Sequence, residues 1–172
     1  MSGARDAPGL LRDATRSLLV PDAPDAHVMD RASIERLIPH RGTSLLLDSV
    51  RHIDRTARTL VAEYDLEGGA SLMAGHFPGQ PVWPGLLQVE AIGQAGMLLT
   101  RVERPQGPPG VITDVLGARF LRLVRPPGRL RVVARVISEE PFDLVVGQCL
   151  FAGEVCSAAV LRGLETAGVG GI

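Results

Sequence analysis

Apolar positions along this chain follow two periods. From Gly85 to about Val102, Leu86, Leu87, Val89, Ala91, Ile92, Ala95, Met97, Leu98 and Leu99 recur at helical spacing and cover most of the circumference. That pattern predicts one long helix, from about Pro84 to Val102, buried nearly all round. Pro84 suits its first turn, where a missing N–H leaves no bond unmade. Gly93 and Gly96 weaken it locally and predict close approach by a sheet. Elsewhere the period is two. Residues 43–53, 59–66, 110–120, 129–138, 142–151 and 155–161 read as strands, with turns within 54–58 and at 152–154. In the second of these, Leu60, Ala62 and Tyr64 fall on one face and Val61, Glu63 and Asp65 on the other. One long buried helix against a mostly antiparallel sheet is an α+β arrangement.

The ends read differently. Residues 1–30 form an N-terminal extension. Within it, Leu10, Leu11, Ala14, Leu18 and Leu19 give a short amphipathic helix over 9–20, and 21–26 is a linker by composition. The sequence leaves open whether this extension is flexible or packs on the domain. Ser33 is placed to cap a short helix over 34–37 that Pro39 ends. The main domain spans 31–163, and 164–172 reads as a disordered tail.

Two polar residues interrupt the long helix, Glu90 and Gln94. Four apart, they share a face. A carboxylate in an apolar helix is costly unless it is paired or reactive. Just upstream, residues 75–83 hold two prolines and two glycines, which fix a particular backbone path. That loop carries His76 towards the helix start. A histidine and a carboxylate meeting at an apolar cavity can serve as general base and general acid. The helix N-terminus at Gly85 and Leu86 offers backbone N–H groups to a developing oxyanion.

Bulk properties narrow the function. The formal net charge is −1, so no global field favours nucleic acid or an anionic membrane. No run reaches the roughly 18 apolar residues of a membrane span, and no basic-then-apolar leader opens the chain, so a cytoplasmic location is expected. Two cysteines, Cys149 and Cys156, make neither a metal set nor a disulfide framework and read as buried thiols. No metal or nucleotide motif is present.

The segment Gly75–Gln94, GHFPGQPVWPGLLQVEAIGQ, resembles the active-site segment of the hotdog-fold 3-hydroxyacyl-[acyl carrier protein] dehydratases, roughly G-H-F-P-x-x-P-[VI]-x-P-G-x-[LI]-x-x-E-[AG]-x-[AG]-Q. Leu37-Ile38-Pro39-His40-Arg41 with Leu45–Val50 is similar to a second family motif, and Ala118–Arg122 with Pro127-Gly128 to a third. The resemblance covers about residues 33–162. It implies a sheet wrapped around the central helix and dehydration of a 3-hydroxyacyl thioester to the trans-2-enoyl thioester, the substrate carried on a phosphopantetheine arm and no cofactor bound. By it, His76 takes the α-proton, the Gly85 and Leu86 backbone holds the thioester oxygen, and Glu90, kept protonated by an apolar site, protonates the leaving hydroxyl. Gln94 orients Glu90, while Phe77, Pro78, Val82, Trp83 and Pro84 shape the pocket. His40 and Arg41 tie the first helix to the sheet.

The same resemblance implies an acyl carrier protein as partner, docking at Arg119 and Arg122. It implies a homodimer with active sites at the interface, with a trimer of dimers as the larger assembly left open. At the docking motif Leu121 and Leu123 stand where family members often have a basic residue and a proline; Thr43, Ser44 and Trp83 also depart from common family residues and point to an altered pocket, which with the extension suggests a specialised pathway. Alternatives are a dehydratase/isomerase making the cis-3 product, a hotdog thioesterase, and a non-catalytic acyl-binding module.

Overall fold

The computed structural model describes residues 6–17, 28–108, 110–139 and 142–165. In chain order it contains α1 (Ala7–Ser17), β1 (Met29–Asp30), α2 (Arg31–Leu37), a 3-10 turn at Gly42–Ser44, β2 (Ser49–Asp54), β3 (Thr59–Asp65), the single turn α3 (Ala70–Met73), the long helix α4 (Gly85–Glu103), β4 (Gly110–Phe120), β5 (Arg129–Glu139), β6 (Phe142–Phe151) and β7 (Glu154–Glu165). The strands form one sheet in the order β1-β2-β3-β5-β6-β7-β4, antiparallel throughout. Helix α4 falls between β3 and β4 in sequence. The chain therefore leaves the sheet at β3, runs along the helix, and returns at the far edge as β4.

Strand alternation divides the apolar residues into two layers. Leu60, Ala62 and Tyr64 of β3, Leu130, Val132 and Ala134 of β5, and Ala159 and Leu161 of β7 turn inwards onto Ile92, Ala95, Leu98 and Leu99 of α4. Helix α4 touches every strand from β3 to β7, so the sheet curves round it. Contact is close enough that side chains are excluded from the helix at two points. A Cβ on Gly93 would sit 2.5 Å from Ile112 Cδ1, and one on Gly96 2.6 Å from Val145 Cγ2.

The outer layer is built by the extension. Val61, Val133, Val146, Ala158 and Val160 project from the other face of the sheet and are buried with Leu11 and Ala14 of α1. Helix α1 starts at Ala7, two residues before the expected span, and packs on β4, β6 and β7. Ala14 is fully buried. Ala14→Asp is therefore expected to lower stability by about 2–4 kcal/mol, limited by release of the helix from the sheet. Thermal denaturation checks this, and an unchanged Tm would show that α1 contributes nothing.

Several local expectations are corrected. Residues 43–47 are not strand: Leu45, Leu46 and Leu47 are fully buried in succession, and the Leu46 N–H bonds the Gln94 side chain instead of a neighbouring strand. Asp30, not Ser33, caps α2, its carboxylate accepting the Ser33 N–H at 2.8 Å. The expected tail begins too early, since β7 continues to Glu165 and pairs it with Gly110. The linker at 21–26 and residues 166–172 lie outside the described residues. Nor is α4 buried all round: Leu86 is 75% exposed, and Glu90 and Met97 are half-buried on the same stripe.

Candidate active site

The loop before α4 is closed on itself. Phe77 and Gln80 exchange backbone bonds, and the Val82 N–H donates to the His76 carbonyl at 2.7 Å. The His76–Phe77 peptide is cis. The Trp83 N–H donates to Val124 O at 2.8 Å, fastening the loop to the segment between β4 and β5. This frame holds the His76 ring, whose Nδ1 lies 2.9 Å from Val82 O and whose face stacks on Phe77. A carbonyl only accepts, so Nδ1 carries the hydrogen and Nε2 keeps its lone pair. That is the tautomer a general base needs.

Gly85 and Leu86 head α4, where backbone N–H groups have no intrahelical acceptor. Gly85 also has a packing reason: a Cβ there would stand 2.7 Å from the Phe120 ring.

Glu90 projects one turn further along. Its Oε1 accepts from Gln94 Nε2 at 2.9 Å and faces His40 Nε2 at 3.4 Å. Gln94 is buried and uses its whole amide: Nε2 also donates to Ser44 O at 2.7 Å, and Oε1 accepts the Leu46 N–H at 2.9 Å. The expected orienting role of Gln94 therefore has a geometric basis. The expectation that an apolar site keeps Glu90 protonated does not hold in the single chain. The His40 donor, with help from Gln94, holds its carboxyl below the usual range and outweighs partial burial, which pushes the other way.

His40 was read from sequence as tying α2 to the sheet. Arg41 does part of that work, bonding the Ile38 and His40 carbonyls, while the His40 side chain turns to Glu90. Its place in the second motif was the available signal, but only the fold brings residues 40 and 90 together.

His76 and Glu90 share no hydrogen bond within the chain; each has its own partners. Of the expected pocket residues, Trp83 is 1% exposed and packs on Tyr64 with ring centroids 5.2 Å apart, and Val82 is buried. Phe77 is 57% exposed and borders an open hollow of about 550 Å³ with Leu66, Met73 and Pro81. Pro78 is exposed in the loop and Pro84 caps α4. Arg122 pairs with exposed Glu154 at 3.0 Å, and Arg119 is exposed without an ion pair among the described residues. Cys149 and Cys156 are buried thiols, as expected, and burial pushes both up, Cys156 to about 11. Among the described residues no cluster of three or more His, Cys, Asp or Glu stands together as a metal site.

Comparison with known proteins is consistent across sequence and fold. Residues 38–155 match the model of the FabA-like domain. The chain is 34% identical over 110 residues to a protein of Bacillus pumilus named 3-hydroxyacyl-[acyl-carrier-protein] dehydratase FabZ, covering 63% of this chain and 76% of that one. A protein of the same name from Geobacillus is 31% identical over 140 residues, 80% of this chain and 96% of its own. Among solved structures, the dehydratase heterocomplex ApeI:P of Xenorhabdus doucetiae aligns with a TM-score of 0.58 at 20% identity, over 77% of this chain and 90% of that one. A mutant thioesterase from Pseudomonas aeruginosa gives a TM-score of 0.60 at 18% identity, over 80% of this chain and 94% of that one. At such identities these two show the shared fold alone.

Proposed function

The chain belongs to the FabA-like domain family, and we propose from that membership and from the site that it dehydrates a 3-hydroxyacyl thioester to the trans-2-enoyl thioester and water. The observation that carries the reading is the His76 tautomer beside a helix N-terminus and an acid on the same helix. His76 Nε2 removes the proton from C2. The electron pair left behind moves towards the thioester, whose oxygen gains charge and is met by the N–H groups of Gly85 and Leu86. As the C2–C3 double bond forms, the C3–O bond breaks and Glu90 gives its proton to the departing hydroxyl, which leaves as water. His76 ends protonated and Glu90 ionised, and solvent restores both. These are proton transfers that side chains supply, so no cofactor is assigned.

Assay of the purified protein with 3-hydroxyacyl and enoyl thioesters tests the reading. Gain of enoyl absorbance from the first, and hydration of the second to the 3-hydroxy product, are expected. Release of free thiol instead would make the protein a thioesterase.

The dimer supplies what a single chain lacks. Among the described residues strand β4 pairs only with β7, leaving its other edge open over 11 residues. Val111, Ile112, Val115 and Phe120 are exposed along it. Such an edge is a template for pairing, and a two-fold axis would join two copies of β4. The open stripe of α4 adjoins this edge: Gly93 and Met97 line a narrow crevice with Val111 and Ile112. In the assembly Glu90 of one protomer meets His76 of the other, and the crevice offers the acyl chain a dry path.

The substrate is carried by an acyl carrier protein, a reading supported by the names of the relatives. Exposed Arg119, without an ion pair among the described residues, is the stronger docking candidate; Arg122 is partly neutralised by Glu154. Arg119→Glu is expected to raise KM several-fold for a carrier-linked substrate, more at low salt, and to leave a short carrier-free thioester almost unchanged. Equal losses on both substrates would make Arg119 structural. Among the described residues no helix is long and apolar enough to cross a membrane; a cytoplasmic location fits a carrier-linked substrate.

A further inference from the structure

The Glu90 carboxyl is held unevenly. Gln94 Nε2 donates to Oε1 at 2.9 Å, and His40 Nε2 stands 3.4 Å from the same oxygen. Oε2 has no partner among the described residues. The segment that brings His40 there is fastened on both sides. Arg41 Nη1 donates to Ile38 O at 2.6 Å and to His40 O at 2.7 Å. Gln94 then grips Ser44 and Leu46, and Leu45, Leu46 and Leu47 are fully buried. His40 is thus pinned to α4 within one turn of Glu90, with its side chain 20% exposed.

The other ring nitrogen, Nδ1, is buried with no hydrogen-bond partner among the described residues. A carboxylate only accepts, so Nε2, the nitrogen that faces it, is the one that presents a hydrogen to Glu90 Oε1. Among the described residues, His40 is the only titratable group acting on Glu90, and Gln94 is the other, uncharged, influence.

We infer that His40 is a positioning residue for the Glu90 carboxyl: its Nε2–H fixes Oε1, so that Oε2 is the oxygen that carries and delivers the proton, and it sets the pH at which Glu90 loses that proton. The role as proton donor rests on the dehydratase reading; the control of protonation does not. The direction follows from which form is stabilised. A donor to the carboxylate lowers its pKa, so removing the donor raises it. Glu90 acts when protonated, so the limb of the pH–rate profile that falls as Glu90 ionises moves to higher pH.

Three variants separate the effects. His40→Ala removes the donor. His40→Gln puts an amide N–H near the place of Nε2 but cannot titrate in this range, and the shorter His40→Asn falls short of Glu90. The direct readout is the titration of the Glu90 carboxyl by carbon NMR on glutamate-labelled protein, its signal identified by loss in Glu90→Gln. The midpoint is expected to rise by roughly one pH unit in His40→Ala and His40→Asn and to return most of the way in His40→Gln. In the dehydration assay, His40→Ala is expected to lower kcat roughly tenfold or more with little change in KM, since an untethered carboxyl is misaligned but substrate contacts remain. His40→Gln should recover most of that loss. An unchanged Glu90 midpoint in folded His40→Ala overturns the inference whatever the enzyme's reaction; if His40→Ala does not fold, equal midpoints in His40→Asn and His40→Gln do so. A protein that passes the titration but makes no enoyl product keeps His40's control of Glu90 and refutes the dehydratase reading.

Discussion

His76→Ala and Glu90→Gln are each expected to lose roughly 10²- to 10⁴-fold in kcat while remaining folded. The His76 ring belongs to an exposed loop, and its removal gives up one hydrogen bond to Val82 O and a stacking contact with Phe77. A bond of that kind is worth about 0.5–1.5 kcal/mol. The loop's backbone bonds, from the Val82 N–H to His76 O and between Phe77 and Gln80, are untouched. Glu90→Gln keeps the length and shape of the side chain, and its amide oxygen still accepts from Gln94 and His40. The variant cannot, however, supply a proton as an acid does. Steady-state rates beside thermal denaturation check both variants. A folded Glu90→Gln protein within about threefold of the wild-type rate, far short of that loss, would show that Glu90 is not the acid.

Mixing the two dead variants is expected to restore activity. If each site takes His76 from one protomer and Glu90 from the other, a mixed dimer gathers both lesions in one site and leaves the second intact. Random exchange makes about half the dimers mixed, so roughly a quarter of all sites recover. The motivation is structural: within one chain His76 and Glu90 have separate partners and no bond to each other. The edge of β4 and the stripe of α4 carrying Glu90 are both open beside them. With both residues drawn from one chain, every site would keep one lesion. A tag on one variant confirms exchange; a mixture no more active than its separate components, with exchange confirmed, would refute the shared site.

The sequence by itself determined the elements whose signals are local. Helical periodicity over 85–99 located α4, and period-two alternation at 60–65 separated Leu60, Ala62 and Tyr64 from Val61, the two faces that the fold then turned to α4 and to α1. The density of proline and glycine located the loop that frames His76, and the four-residue spacing put Gln94 on the face of Glu90. Each of these follows from backbone geometry over a few residues. Tertiary structure decided the rest. Three consecutive leucines at 45–47 look like strand, but the Gln94 amide, about fifty residues away, takes the Leu46 N–H that a ladder would have used. The docking of α1 depends on an apolar outer face contributed by β3, β5, β6 and β7 together, which no single segment displays. The apolar helical neighbours of Glu90 point to a protonated acid, whereas the His40 ring, fifty residues earlier and brought to the carboxyl by the fold, pulls it the other way. Burial and hydrogen bonding act through space on whichever groups the fold assembles, and a carboxylate's environment is set by donors a few ångströms away rather than by its neighbours in sequence.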